Sequence, residues 1–183
     1  MNLCISGGAL GADIAWGEIA RSVGHDVIHW SFKGHKSKAE HDVYILDDVE
    51  LVKADSSLAQ ANLSLKRKWP LSNQHVANLL RRNYWQIIQT DAVYAISSLV
   101  NDNSLLKIAG GTAWAATMYI DRCSNEGIIP FLYLFNQIDN FWYHWTNSWQ
   151  KISKPPIPNR IYAGIGNRDL SSSGLKAIQE VYS

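Results

Sequence analysis

The sequence is poor in the residues that mark several large classes of protein. Its 183 residues include two cysteines, Cys4 and Cys123, which form neither a disulfide framework nor the paired spacing of a zinc site. No apolar stretch is long enough to cross a bilayer, and no basic region followed by an apolar stretch marks a secretory signal. We therefore expect a cytoplasmic chain with reduced thiols and no membrane partner.

Charge is also scarce. Charged residues make up 18% of the chain and the formal net charge is +1, so no basic surface of the kind that attracts nucleic acid is expected. The six histidines show no metal-ligand spacing, and we expect no metal and no other cofactor. Hydrophobic residues make up 46%, and the length suits a single domain, 1–183, with a sizeable core.

Aromatic residues are abundant, with eight tryptophans and eight tyrosines. Several fall between Phe141 and Trp149, where they could stack on a base, pack at a sheet edge or form an oligomer contact. The sequence leaves these three roles open. Tyr84 and Trp85 are candidates for a contact between two copies of the chain.

Strand-like and helix-like segments alternate along the chain, which predicts an α/β fold with a mainly parallel sheet between helices. Strands are predicted at 3–6, 26–31, 92–97, 130–135 and 160–165, and helices at 11–23, 47–66, 73–89, 112–123 and 171–181. Segment 141–152 is expected to form a hairpin. The proline-rich connector 154–158 would carry the last strand to a position beside the first.

Three glycine-rich turns each follow a strand-like segment and precede a helix. They contain Gly7, Gly8 and Gly11; Gly110 and Gly111; and Gly164 and Gly166. In parallel sheets such turns share one edge, where backbone N–H groups at helix N-termini bind anions. The turns therefore predict one anionic ligand at that edge. On this basis Gly8→Val is expected to block a phosphate while leaving the fold intact.

Two of these motifs resemble the SLOG superfamily, which includes DprA, YpsA and the LOG cytokinin-activating enzymes. The segment Ser6–Asp13 reads S-G-G-A-x-G-A-D, and Gly164–Arg168 reads G-x-G-x-R. The superfamily usually has them in the opposite order, so the chain resembles its circularly permuted YpsA-like branch, some members of which are labelled molybdenum cofactor carriers. The resemblance implies a circularly permuted, Rossmann-like three-layer sandwich, a nucleotide ligand and a homo-oligomer, most simply a dimer.

The turns and the resemblance together give a set of expected ligand-binding residues. An arginine such as Arg168 can pair with phosphate, and Lys33 follows the second strand in a lysine–glycine–basic pattern. The full set is Ser6, Gly7, Gly8, Gly11, Asp13, Lys33, Arg82, Asn83, Gly110, Gly111, Thr112, Gly164, Gly166 and Arg168.

The catalytic motif of the LOG-type hydrolases, P-G-G-x-G-T-x-x-E, is incomplete in this chain. When it is aligned on Gly110 and Gly111, Thr117 stands at the position of the glutamate, and a threonine cannot stabilise an oxocarbenium charge. We therefore expect no catalytic residue and a stand-alone binder, sensor or sponge for a nucleotide or a nucleotide-derived signal such as a cyclic ADP-ribose. The alternative is a nucleotide N-glycosidic hydrolase that uses one of four other carboxylates: Asp13, Glu18, Asp91 or Asp169.

Overall fold

The protein forms an α/β sandwich around an eight-stranded sheet in the computed structural model, which describes residues 1–103 and 105–183. The strands are β1 (Leu3–Ser6), β2 (Asp26–Phe32), β3 (Val43–Leu46), β4 (Ala92–Ser97), β5 (Leu99–Asp102), β6 (Leu105–Ile108), β7 (Phe131–Asn136), β8 (Phe141–Trp145), β9 (Trp149–Ile152) and β10 (Ile161–Gly166). The order in the sheet is β3-β2-β1-β10-β4-β7-β8-β9, parallel from β3 to β7 and antiparallel at β8 and β9. Strands β5 and β6 form a separate hairpin.

Helices cover both faces of the sheet. They are α1 (Ala12–Ser22), α2 (Asp48–Val52), α3 (Asp55–Leu65), α4 (Gln74–Ile87), α5 (Thr112–Glu126) and α6 (Ser172–Val181). On one face, Trp16 of α1 and Ile178 of α6 pack in one buried cluster with Tyr162 of the sheet. On the other face, Ala61 of α3 and Met118 of α5 belong to a second cluster. The expected Rossmann-like three-layer sandwich with a mainly parallel sheet is therefore confirmed.

Two local predictions need correction. Segment 47–66 forms two helices rather than one, because Asp47 and Glu50 make a capping box that starts the short α2, and α3 begins afresh at Asp55. Strands β3 and β5 were not predicted, since each has only four residues, too few to show a clear period. The hairpin expected in segment 141–152 is confirmed as β8 and β9.

The last strand lies at the centre of the sheet, between β1 and β4. The two chain ends meet at His25, whose Nε2 lies 3.1 Å from Asn2 Nδ2 and whose ring lies 5.5 Å from the Tyr182 ring. This is the placement expected for a permuted element order, in which the last strand joins the first within the sheet. Within the described residues, no helix is both long and apolar enough to cross a bilayer.

Candidate functional site

The three glycine turns meet at one edge of the sheet, around a cavity of about 420 Å³ that we call the glycine cavity. The first turn follows β1, whereas Gly164 and Gly166 of the last motif lie within β10 and the chain leaves the strand at Asn167 and Arg168. The third turn follows the β5–β6 hairpin, which returns the chain to the end of β4, where Ala109 N donates to Ser98 O at 2.9 Å. The cavity is lined by Ala9, Asp13 and parts of segments 76–86, 109–115 and 165–169. It therefore lies at the position predicted for a ligand in an open parallel sheet.

A buried ion pair forms the base of the cavity. Arg82 and Asp13 are 6% and 4% exposed, and Arg82 Nη1 lies 3.2 Å from Asp13 Oδ2. The same Nη1 donates to Gly7 O at 2.6 Å, and Gly166 N donates to Asp13 Oδ1 at 3.1 Å. Burial raises the pKa of the Asp13 carboxyl and lowers that of Arg82. Asp13 thus joins the first and last glycine turns and holds the arginine between them.

Arg82 keeps hydrogen-bonding capacity that the described residues leave unused. Its Nε is buried and has no partner among them, and its Nη2 reaches Asn83 Oδ1 only at 3.4 Å. Asn83 is 9% exposed and also lines the cavity. A buried donor without a partner costs free energy unless an acceptor is supplied, and a phosphate oxygen is a suitable acceptor for guanidinium.

The first glycine turn packs against the protein itself. A Cβ on Gly7 would overlap the Arg82 guanidinium, and a Cβ on Gly11 would overlap the carbonyl oxygens of Asn167 and Arg168. Ala12 N, in the first turn of α1, donates to Asn167 O at 3.0 Å. At each of these glycines the space that a side chain would take is therefore filled by the chain itself, and phosphate contact with the backbone of this turn stays a prediction.

Gly8 is packed in a similar way. Its φ is +61°, its carbonyl accepts from Lys38 N at 2.7 Å, and a Cβ would lie 2.6 Å from Ser37 Oγ. It is also absent from the lining of the glycine cavity. Gly8→Val would consequently damage the fold, and its effect on binding would not report on phosphate contact.

The last glycine turn is packed as well. A Cβ on Gly164 would overlap the Trp16 ring, and one on Gly166 would overlap Ile96 O. Ser6 is fully buried, and its Oγ lies 2.8 Å from Asp13 O and 2.7 Å from Gly164 O. Ser6 therefore joins the first and last turns from beneath, and Gly166 is the member of this group that borders the cavity.

The turn at Gly110 and Gly111 is different because it is open. Both glycines are exposed and line the cavity, and a Cβ on either would have no atom within 4 Å. Gly111 begins α5 without a side-chain cap. Thr112 Oγ1 donates to Asn167 Oδ1 at 3.0 Å and thus fixes the turn to the end of β10. The positive end of the α5 dipole and its first N–H groups therefore face the cavity.

Basic side chains surround this opening. Arg168 is exposed, lines the cavity and makes no ion pair or side-chain hydrogen bond with the described residues, Asp169 included. His35 lies near it: burial and the positive charges of Arg82, Arg168 and His75 lower the pKa of His35 to about 4. The positive charges of Arg82 and Arg168 are therefore felt at His35, which itself lies outside the cavity lining.

Lys33 does not join this group, since it is exposed on the loop after β2 and outside the cavity lining. His35 of the same loop is also outside the cavity lining, although it is close enough to Arg82 and Arg168 for their charges to lower its pKa. Ser31 Oγ, 2.9 Å from His35 Nδ1, holds the ring there. The exposure of Lys33 was not evident from the pattern because loop geometry decides which side chain turns inward.

Thr117 does not face the glycine cavity. Thr117 comes five residues after Thr112 on the helix and therefore points about 140° away from it. Ala115 comes three residues after Thr112 and points only about 60° away. Accordingly Thr117 lines another cavity, on another side of α5, and Ala115 lines the glycine cavity. Alignment of the hydrolase motif on its Gly-Thr pair, Gly111-Thr112, places the glutamate position at Ala115, which again lacks a carboxylate.

The four other carboxylates differ in their access to the site. Asp13 accepts hydrogen bonds through both oxygens and is buried. Asp91 lies at the opposite edge of the sheet, where its Oδ2 accepts a hydrogen bond from Ile161 N at 3.3 Å, and Glu18 lines a separate cavity. Asp169 is exposed and lines the glycine cavity. No group of three His, Cys, Asp or Glu side chains among the described residues is arranged to hold a metal ion.

Comparison with known proteins gives a fold but no family. No family model matches the chain, and no curated protein does so either. Among solved structures, the chain is similar to one named as a putative molybdenum carrier protein from Syntrophus aciditrophicus SB, with a TM-score of 0.52 and 13% identity. The likeness covers 99% of this chain and 92% of that one. At this identity it supports the α/β architecture over the whole chain and does not define a ligand.

Proposed function

We propose that the protein binds a phosphate-bearing small molecule in the glycine cavity, and that the ligand is a nucleotide or a nucleotide-derived signal. The observation that carries this proposal is that the Arg168 guanidinium, which has no partner among the described residues, and the open N-terminus of α5 line the same cavity. A phosphate can accept from both, because its oxygens suit a guanidinium and the N–H groups of a helix start.

The charge around the cavity supports an anion. Asp13 is the buried carboxylate at its base, and Arg82 neutralises it, while Arg168 and Asp169 bring one charge of each sign to the exposed side, so the α5 dipole and a guanidinium that forms no ion pair with the described residues are the groups offered to an anion. The volume of about 420 Å³ lies within the range of small-molecule sites. A mononucleotide and a cyclic ADP-ribose-type signal are the two ligand classes to compare.

Binding without turnover is the expected behaviour. Ala115 and Thr117 both lack the carboxylate that a LOG-type hydrolase needs, and Asp13 is held by Arg82 and Gly166. A carrier, sensor or sponge fits these features. N-glycosidic hydrolysis is the alternative activity, and Asp169 is its candidate carboxylate because it is exposed at the cavity.

Calorimetric titration with AMP, cyclic ADP-ribose, orthophosphate and adenosine tests the ligand class. We expect the phosphate compounds to bind and adenosine to bind at least about tenfold more weakly. Molybdate is included because the similar structure is named a molybdenum carrier and because molybdate is also an oxyanion. If molybdate binds more tightly than every nucleotide, the proposed ligand becomes a simple oxyanion. Equal binding of adenosine and AMP would contradict a phosphate site.

Arg168→Ala tests the location of the site. The substitution should weaken AMP binding by about tenfold, since it removes a charge-assisted contact, and should leave the melting temperature nearly unchanged. Lys33→Ala is the matched control, because it removes an exposed positive charge that lies outside the lining. An equal effect of the two variants would indicate long-range attraction instead of contact. Chromatography of the incubated nucleotide then shows whether base is released, which would favour the hydrolase.

A dimer remains part of the proposal. Trp85, one of its candidate contacts, is half-buried within the chain, where its ring lies 5.4 Å from that of Trp30 and its Nε1 donates to Glu50 O at 3.2 Å. Tyr84 lies edge-on to Trp85 at 5.6 Å. Light scattering at tens of micromolar protein would show a dimer mass, and a monomer mass would remove this part of the proposal.

A further inference from the structure

A second cavity, of about 470 Å³, lies on another side of α5 from the glycine cavity. We call it the tryptophan cavity. Its floor is one face of α5, where Ala113, Ala116 and Thr117 recur at helical spacing. These side chains are small, so the face leaves room that a larger residue would fill.

The walls of the tryptophan cavity come from two hairpins. Trp145 and Trp149, at the turn of the β8–β9 hairpin, pack edge to face with ring centroids 5.2 Å apart. Apolar side chains of the β5–β6 hairpin, including Leu106 and Ile108, form another part of the lining. Aromatic and aliphatic walls over a small-residue floor suit a flat apolar ring.

The charged side chains of the lining are satisfied with one exception. Lys107 Nζ lies 2.6 Å from Asp102 Oδ2, and Arg67 donates to Gly110 O at 2.6 Å and to Ile108 O at 3.3 Å. Asp121 lines both this cavity and another one between α3, α4 and α5, and its buried Oδ2 has no hydrogen-bond partner among the described residues. Burial also raises the pKa of the Asp121 carboxyl. A buried carboxylate oxygen without a donor is the group that a ligand cation would satisfy.

We infer that the tryptophan cavity is a second ligand site, which takes a small aromatic molecule bearing a protonated amine. The ring contacts Trp145 and Trp149, and the ammonium donates to Asp121. A neighbouring aromatic face adds to the attraction of a cation. The site is separate from the glycine cavity, because the two linings share Ala109 alone and different faces of α5 serve them.

Nuclear magnetic resonance titration tests this inference with three probes of similar shape: 2-phenylethylamine, 2-phenylethanol and phenylacetate. The tryptophan indole N–H signals are followed, with those of Trp145 and Trp149 assigned through Trp→Phe variants. We expect saturable shifts of these two signals by 2-phenylethylamine, with at least about tenfold weaker binding of 2-phenylethanol and weaker still for phenylacetate. Phenylacetate binding as tightly as the amine, or no saturable shift at about 10 mM probe, would overturn the inference.

Variants locate the contact. Asp121→Asn should remove the preference for the amine over the alcohol, while Glu126→Gln, on the same helix but outside the lining, should keep it. Thr117→Leu should weaken the binding of all three probes because the larger side chain fills the space above the floor of the cavity. Each variant is checked for a cooperative melt. A folded Asp121→Asn that retains the preference, or a folded Thr117→Leu that binds as the parent does, would show that the amine binds elsewhere.

Discussion

The packed and the open glycine turns use the same residue for opposite purposes. Gly7, Gly11 and Gly166 leave room for a guanidinium or a carbonyl of the chain itself, and a side chain at any of them would overlap those atoms. Gly110 and Gly111 have nothing beside them and line the cavity. A glycine motif therefore indicates that some group lies close to the backbone. It does not indicate whether that group belongs to a ligand or to another segment of the chain. In the proposed function, the packed glycines therefore hold the site together and the open turn contacts the ligand.

The largest expected effect comes from the buried ion pair that holds the packed turns together. Asp13→Asn places an amide N–H₂ among the donors Arg82 and Gln86 and leaves the arginine without a counter-charge. The free energy of unfolding should fall by about 3 to 5 kcal/mol, as for other broken buried pairs. Asp169→Asn, on the exposed side of the cavity, should change it by less than about 0.5 kcal/mol. Urea unfolding measures both, and equal losses would contradict the contrast.

A pair of alanine substitutions compares the two kinds of glycine directly. Gly11→Ala combines a φ of +96° with a Cβ that overlaps backbone carbonyls. It should lower the free energy of unfolding by about 2 to 4 kcal/mol. Gly111→Ala has a φ of −70° and open space, so its effect should remain within about 1 kcal/mol. If Gly11→Ala lowers the free energy of unfolding only slightly, the loop at Asn167 and Arg168 can move away from α1 at little cost.

The smallest effect is a titration at the open side. In the free protein the pKa of His35 is about 4, and Arg82 and Arg168 contribute to lowering it. A bound sulfate would oppose those charges, so the pKa of His35 should rise towards its ordinary value of about 6.5. Because the complex then binds the proton more tightly, sulfate affinity should increase as the pH falls below about 6.5. Nuclear magnetic resonance of the His35 ring with and without sulfate measures the shift, and an unchanged pKa at saturation would place the anion elsewhere.

The sequence predicted the architecture well because local signals and global topology agree there. Alternating strands and helices, and a last strand carried beside the first by the connector 154–158, follow from periodicity and from the reversed motif order. The site was predicted only in part. That Arg82 and Asp13 meet depends on contacts 69 residues apart, and the packing of Gly8 depends on a loop whose path no local signal gives.

The least accurate prediction concerned which residue of α5 faces the glycine cavity. Counting the hydrolase motif from its first glycine pair selected Thr117, whereas helix rotation places Ala115 at the glycine cavity. The tryptophans of segment 141–149 also divide in a way that the sequence could not predict: Trp142 is buried in the core, while Trp145 and Trp149 line the second cavity.

Calorimetric titration of AMP into the parent chain and into Gly111→Val tests the central claim most directly. Gly111 is exposed with no atom within 4 Å of a Cβ, so the valine should leave the melt nearly unchanged and stand where the phosphate approaches the start of α5. We predict that AMP affinity falls at least about tenfold in a normally folded variant. A folded Gly111→Val chain that binds AMP as tightly as the parent, or a parent that binds no phosphate compound, would contradict the account.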